Sequence, residues 1–118
     1  MEKLATMALF ADFYGPLLTE KQRNVWDLHY QQDLSLAEIA GLEHISRQAI
    51  HDLLKRTERI LEEYEQKLGL VHRFWKEREK LAEVRSLMRG LTEKDFSSHE
   101  AWERHCQIGV KIEDIFDI

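Results

Sequence analysis

Three features of the 118-residue sequence predict an all-α fold: 33% of residues are charged, proline occurs once with only five glycines, and apolar residues recur every three or four positions. Sandwiches and barrels need more turns than that supply of glycine and proline would serve. The length suits one domain, and a hydrophobic content of 43% can fill one modest core but not a two-lobed cleft.

Each helix has a local reason. Leu4, Met7, Ala8, Ala11 and Tyr14 recur at helical spacing over residues 3–14, and Gly15-Pro16 breaks that pattern. Thr19 with Gln22 three residues on forms a capping box, and Val25, Trp26, Leu28 and His29 carry a second helix toward Tyr30. Asp33 or Ser35 can cap the short LAEIA segment, where Leu36, Ile39 and Ala40 point one way. After a turn Ser46 caps a long helix, whose apolar pattern runs through Ile50, Leu53, Leu54, Thr57, Ile60 and Leu61 to Leu68, where Gly69 interrupts or bends it. Beyond it Phe74, Leu81, Val84 and Met88 form a thin apolar seam in a charged segment ending at Gly90. Ser97 or Ser98 can cap a last short helix around Trp102 and Ile108. The expected division is a helix-turn-helix domain with an extended recognition helix over 1–69, followed by a charged helical extension with an acidic tail over 70–118. That extension is either part of the same compact unit or a dimerisation segment.

The spacing from LAEIA to ISRQAI carries most of the functional information. A short helix, a tight turn and a second helix, with Ala40 small enough for close contact and Ile45 and Ile50 plugging the crossing, form a helix-turn-helix pattern. The turn lacks the usual glycine. His44 falls there, and histidine can adopt a left-handed backbone at some cost. From LTEKQRNVWDLHYQQDLSLAEIAG onward the layout resembles region 4 of bacterial sigma factors, in which a capped helix precedes the pair and a long basic helix ends it. LLTEKQR, DLSLAEIA, ISRQAIHDLLKRTE and LEEYEQKLGL together resemble the YlxM/p13-like family, small sigma-region-4-like proteins encoded beside the signal recognition particle genes of Gram-positive bacteria. The resemblance covers about two-thirds of the chain, and the acidic end from about Leu91 lies outside it. It implies a regulator of, or participant in, signal recognition particle targeting.

At about 100° per residue from Ile50, the residues Leu53, Leu54, Thr57 and Leu61 fall within about 60° and make the stripe expected to be buried. Gln48, His51, Asp52, Lys55 and Arg59 fall roughly opposite, where a recognition helix presents its groove-facing side chains, with Arg47 on the flank at the helix start. Gln48 has the donors and acceptor to pair with adenine, Arg47 can bond guanine or phosphate, and Lys55 and Arg59 can bond phosphates. Asp52 must accept from a cytosine amino group or be repelled by phosphate. The partner expected for this face is DNA. Signal recognition particle RNA, or a protein of that particle or its receptor met by the same helix in an adaptor role, stays open.

Other classes fit less well. The net charge of −5 is concentrated at the end, where residues 91–118 hold three Lys/Arg against seven Asp/Glu. Such a tail reads as a solvated face, or as a competitor for a basic patch. Cys106 is the sole cysteine, and His99, His105 and Cys106 lack the spacing of a metal set, so neither metal nor cofactor is expected. No glycine-rich phosphate loop occurs. Glu62, Glu63 and Glu65 read as an exposed face paired with Lys67 or Arg59 rather than as a catalytic dyad, so no enzyme is expected. Trp26, Trp75 and Trp102 read as core or interface anchors. No apolar run approaches the roughly 20 residues that span a bilayer, and MEKLATMALFADFY reads as a native helix rather than a signal peptide, which predicts a cytoplasmic location without membrane insertion. The seam of Phe74, Leu81, Val84 and Met88 needs a cover, and a homodimer meeting there would set two recognition helices in a symmetric pair.

Overall fold

The computed structural model describes residues 3–117. Among them six α-helices follow in order: α1 (Lys3–Tyr14), α2 (Glu20–Tyr30), α3 (Leu36–Glu43), α4 (Arg47–Leu68), α5 (Leu70–Arg89) and α6 (His99–Phe116). Single 3-10 turns lie at Gly15–Leu17 and Glu93–Asp95. The chain forms two compact units, Met1–His72 and Arg73–Ile118, so α5 begins in the first and continues in the second.

In the first unit α4 packs against α1, α2 and α3. Its buried residues are Ile50, Leu54, Thr57 and Leu61, on the side expected from the periodicity. Thr57 is fully buried without cost to its hydroxyl, because Oγ1 donates to the Leu53 carbonyl at 2.8 Å. Trp26 from α2, only 1% exposed, and Ile39 from α3 complete the core with Val25. The face that α1 turns inward is Met7, Phe10 and Tyr14, whereas Leu4 is 66% exposed. The sequence pattern for α1 was ambiguous because apolar residues surround that helix, and the larger aromatic Phe10 displaces Leu4 and Ala8 from the core.

The caps explain where the helices start. Thr19 and Gln22 make reciprocal side-chain-to-backbone bonds, and Ser35 with Glu38 does the same at α3. Ser35, not Asp33, is therefore the cap, and Asp33 instead takes a left-handed backbone at φ 59° in the preceding loop. That loop is fastened by His29, whose Nδ1–H donates to the Leu34 carbonyl at 3.0 Å. Ser46 Oγ accepts from the Ala49 amide at 3.0 Å, and Ser98 caps α6 through Ala101. At 18 residues α6 is far longer than the short helix expected from the sequence, because its apolar positions Ile112, Ile115 and Phe116 prolong the pattern beyond Ile108.

The end of α4 joins α5 through a polar knot that the sequence reading missed. Gly69 closes α4 in a left-handed conformation at φ 64° and has no side chain with which to cap α5. Glu65, one turn earlier, supplies the missing acceptor: its carboxylate takes the amide hydrogens of Val71 and His72, each at 3.0 Å. Tyr14 at the end of α1 donates its hydroxyl to the same carboxylate at 2.5 Å and accepts the Leu70 amide at 3.2 Å. Glu65 is thus partly buried and tied to three helix ends, not an exposed partner of Lys67 or Arg59. Burial alone would raise its pKa, but the hydrogen bonds from Tyr14, Val71 and His72 favour the charged form and hold it below the ordinary carboxylate value. Burial, then the bond to Glu65, pushes the Tyr14 phenol up.

In the second unit Glu113 of α6 bonds two arginines of α5, Arg89 at 2.7 Å and Arg85 at 3.7 Å. Phe116 lies beneath the guanidinium of Arg85, 3.9 Å from its ring centre. His105 stacks on Trp102 at 5.3 Å, and its Nε2–H donates to the Met88 carbonyl at 3.0 Å. Phe74, Leu81 and Met88 are partly buried, while Val84 is 42% exposed and Leu87 75% exposed.

Two outcomes follow from these local geometries. His44 closes α3 with φ 57° and ψ 38°, a left-handed backbone that costs a residue with a Cβ about 1–2 kcal/mol. Part of that is returned as unfolded-state entropy when glycine is introduced, so His44→Gly should raise stability by about 0.5–1 kcal/mol, read as a higher urea midpoint. An unchanged or lower midpoint would show that the histidine side chain compensates the strain. The Glu65 carboxylate has a lowered folded pKa, so its contribution is present above the ordinary carboxylate range and is lost as pH falls through the folded value. Glu65→Gln should therefore flatten the acid limb of the stability curve, and Tyr14→Phe should cost about 1–3 kcal/mol at neutral pH because a bonded carboxylate loses a donor. Chemical denaturation between acid and neutral pH reads both.

Candidate nucleic-acid interface

The outward face of α4 arises from the same geometry that buries Ile50. Ser46 ends the turn and fixes the first helical residue at Arg47, so every later side chain takes its direction from that start. Arg47, Gln48, His51, Asp52, Lys55 and Arg59 are all exposed. The sequence expectation that they avoid the core therefore holds for each of them. Arg47, Gln48 and His51 also meet Leu36, the first residue of α3, around a shallow hollow of about 390 Å³. Residues of both helices of the pair thus converge at the N-terminus of α4, the end that reaches base edges in helix-turn-helix docking.

Bonds within the face sort its members. Gln48 Nε2 donates to Asp52 Oδ1 at 3.0 Å, and His51 Nδ1 lies 3.5 Å from the same oxygen. Asp52 is therefore engaged by its own helix. Further along, Glu58 lies between two cations, with Lys3 at 3.1 Å and Lys55 at 3.9 Å. Its side chain is only 14% exposed whereas those of Lys3 and Lys55 are 65% and 58% exposed, so the carboxylate holds the two lysines at the surface beside α4. The hydrogen bond and charge of Glu58 raise the Lys3 pKa above its ordinary value. Arg47 and Arg59 form no ion pair among the described residues, which leaves both guanidinium groups available to an outside anion.

Sequence reasoning missed two members of this surface. Lys3 stands far from α4 in the chain and reaches its neighbourhood only because α1 packs on α4, so no local signal marks it. Leu36 is expected to point the same way as Ile39 and Ala40; it is only partly buried and also lines the hollow.

The histidine and cysteine residues of the second unit go separate ways. His99 pairs with Glu93 and Glu103, His105 bonds the Met88 carbonyl, and Cys106 is exposed. Among the described residues no group of three His, Cys, Asp or Glu side chains could hold a metal ion, and no helix is long and apolar enough to cross a membrane.

A capped short helix, a left-handed turn and a long helix with a polar outer face define an all-helical helix-turn-helix protein. The chain belongs to the UPF0122 family, described as "Putative helix-turn-helix protein, YlxM / p13 like", which matches residues 1–103. It is 49% identical over 90 residues to the UPF0122 protein of Desulforamulus reducens, covering 76% of this chain and 77% of that one. The UPF0122 protein of Shouchella clausii is 52% identical over 85 residues, or 72% of this chain and 78% of the relative. That of Clostridium kluyveri is 55% identical over 71 residues, or 60% and 64%. The family match takes in α1 to α5 and only the start of α6.

Proposed function

We propose that the chain is a nucleic-acid-binding regulator that reads duplex DNA with the outer face of α4, in the setting of signal recognition particle targeting that its family resemblance implies. The observation that carries this reading is the convergence of Arg47, Gln48 and His51 with the start of α3, backed by Lys3, Lys55 and Arg59 as outward cations. Side chains at the helix start face base edges, and cations along and beside the helix meet phosphates. The overall charge of −5 does not oppose this, because binding depends on the local field within about a Debye length of the duplex and not on the distant sum. In the adaptor reading the same face docks a particle protein or particle RNA, and Asp52, a negative charge that any phosphate surface would repel, favours the protein partner.

Arg47→Ala and Lys55→Ala separate base reading from phosphate attraction. On a preferred duplex, Arg47→Ala should cost about 1–3 kcal/mol and relax sequence preference. Lys55→Ala should weaken all duplexes alike and reduce the log-log salt slope by about one. Mobility shifts over a range of salt concentrations measure both. Wild-type binding that ignores salt, or that prefers a particle protein, would replace the regulator with the adaptor.

We also propose a homodimer through α5. Val84 and Leu87 are exposed apolar neighbours on one face of that helix, continuous with the expected seam of Phe74, Leu81 and Met88. Val84→Glu with Leu87→Glu should shift sedimentation from dimer to monomer while helix content is preserved. A wild-type monomer at micromolar concentration would contradict it.

A further inference from the structure

We infer that Asp52 is a positioning residue that fixes the direction of the Gln48 amide, so that the α4 face selects adenine in the major groove of duplex DNA. The inference rests on the nucleic-acid reading above and adds to it a base and the side-chain contact that selects it. A glutamine amide has two ends of nearly equal shape and opposite chemistry, an acceptor oxygen and a donor NH2 group, and half a turn about its last bond exchanges them. A free glutamine on a recognition helix can therefore present either end.

Gln48 is not free. Asp52, four residues on and hence its neighbour along the helix, accepts from Gln48 Nε2 at 3.0 Å. An ionised carboxylate only accepts, so the reversed amide would set Oε1 against Oδ1, two acceptors in contact. Asp52 thus admits one orientation of the amide. The bond uses one Nε2 hydrogen and leaves one hydrogen, with Oε1, for an outside partner. Adenine presents a complementary pair on its groove edge, with its N6 amino group donating to Oε1 and its N7 accepting from Nε2. Guanine presents two acceptors there, which leaves Oε1 facing O6. Thymine offers one acceptor and a methyl group, and cytosine offers a donor without the neighbouring acceptor. Only adenine satisfies both atoms of the fixed amide.

This arrangement also accounts for the acid within a cationic face. Asp52 repels phosphates and so weakens every duplex to a similar degree, while the orientation it imposes sharpens the choice among them. Affinity and discrimination should consequently move in opposite directions when the charge is removed. Asparagine at this position can both donate and accept, so it tolerates either end of Gln48.

The test is selection from a randomised duplex DNA pool by the full chain, as wild type, Gln48→Ala and Asp52→Asn, followed by titration of a selected and a scrambled duplex. Wild type should enrich adenine at one fixed position, and Gln48→Ala should lose that enrichment. Asp52→Asn should bind the scrambled duplex at least as tightly as wild type, yet discriminate adenine from the other bases about twofold less well. Circular dichroism melts check that each variant is folded, which is expected because both side chains are exposed. If Asp52→Asn tightens all duplexes and keeps the adenine preference, Asp52 is only a repelled charge and the inference falls while the DNA reading stands. Enrichment of a base other than adenine by wild type also overturns it. If wild type shows no salt-sensitive binding to any duplex, the DNA reading itself fails and takes the inference with it.

Discussion

The first unit depends on one constraint, that α4 must keep Ile50, Leu54, Thr57 and Leu61 out of water along a single side. A straight helix cannot bury that stripe without directing its opposite face outward, so the core and the candidate interface are two aspects of one periodicity. Burying an aliphatic side chain contributes about 1.5–3 kcal/mol, well above the few tenths expected of exposed pairs such as Gln48 with Asp52. Packing therefore sets the orientation of α4, and the polar residues take the positions that remain. Surface substitutions on α4 should accordingly alter binding with little effect on folding.

The helix-turn-helix pair would still be loosely anchored if its far end were free. Tyr14 and Glu65 prevent this by tying the end of α1, the last turns of α4 and the first amides of α5 through one carboxylate and one hydroxyl. Gly69 makes the arrangement necessary, since a left-handed glycine ends α4 cleanly but leaves the next helix without a cap of its own. The boundary between the two compact units lies just past this knot, after His72, whose amide is the last one that Glu65 holds.

Much of this was legible in the sequence because it is local. Thr19 with Gln22, Ser46 and the stripe from Ile50 to Leu61 each declare themselves within a few residues, and His44 was expected in the turn from spacing alone and does adopt a left-handed backbone. What escaped depends on residues brought together by folding. The Tyr14 to Glu65 bond joins positions 51 apart, and Lys3 reaches Glu58 across the packing of α1 on α4. On α1 the helical spacing picks out Met7 and Tyr14, which are buried, but also Leu4, which is 66% exposed, and it passes over the buried Phe10, because Leu4, Met7 and Phe10 are all apolar and local spacing does not choose among them. At the candidate interface the residues were identified from the helical wheel, but the partnership of Gln48 with Asp52 was not, because charge counting treats an acid on a basic face as a defect.

The central claim is that the outer face of α4 near its N-terminus, rather than the second unit, meets nucleic acid. Its most direct test is a titration of isotopically labelled protein with a short duplex DNA, followed residue by residue through backbone amide resonances at low and moderate salt. Amides from Ser46 to Lys55 and at the start of α3 should shift together, Lys3 should shift with them, the changes should weaken as salt rises, and α6 should stay unchanged. Shifts confined to α6, with the start of α4 unmoved, would contradict it.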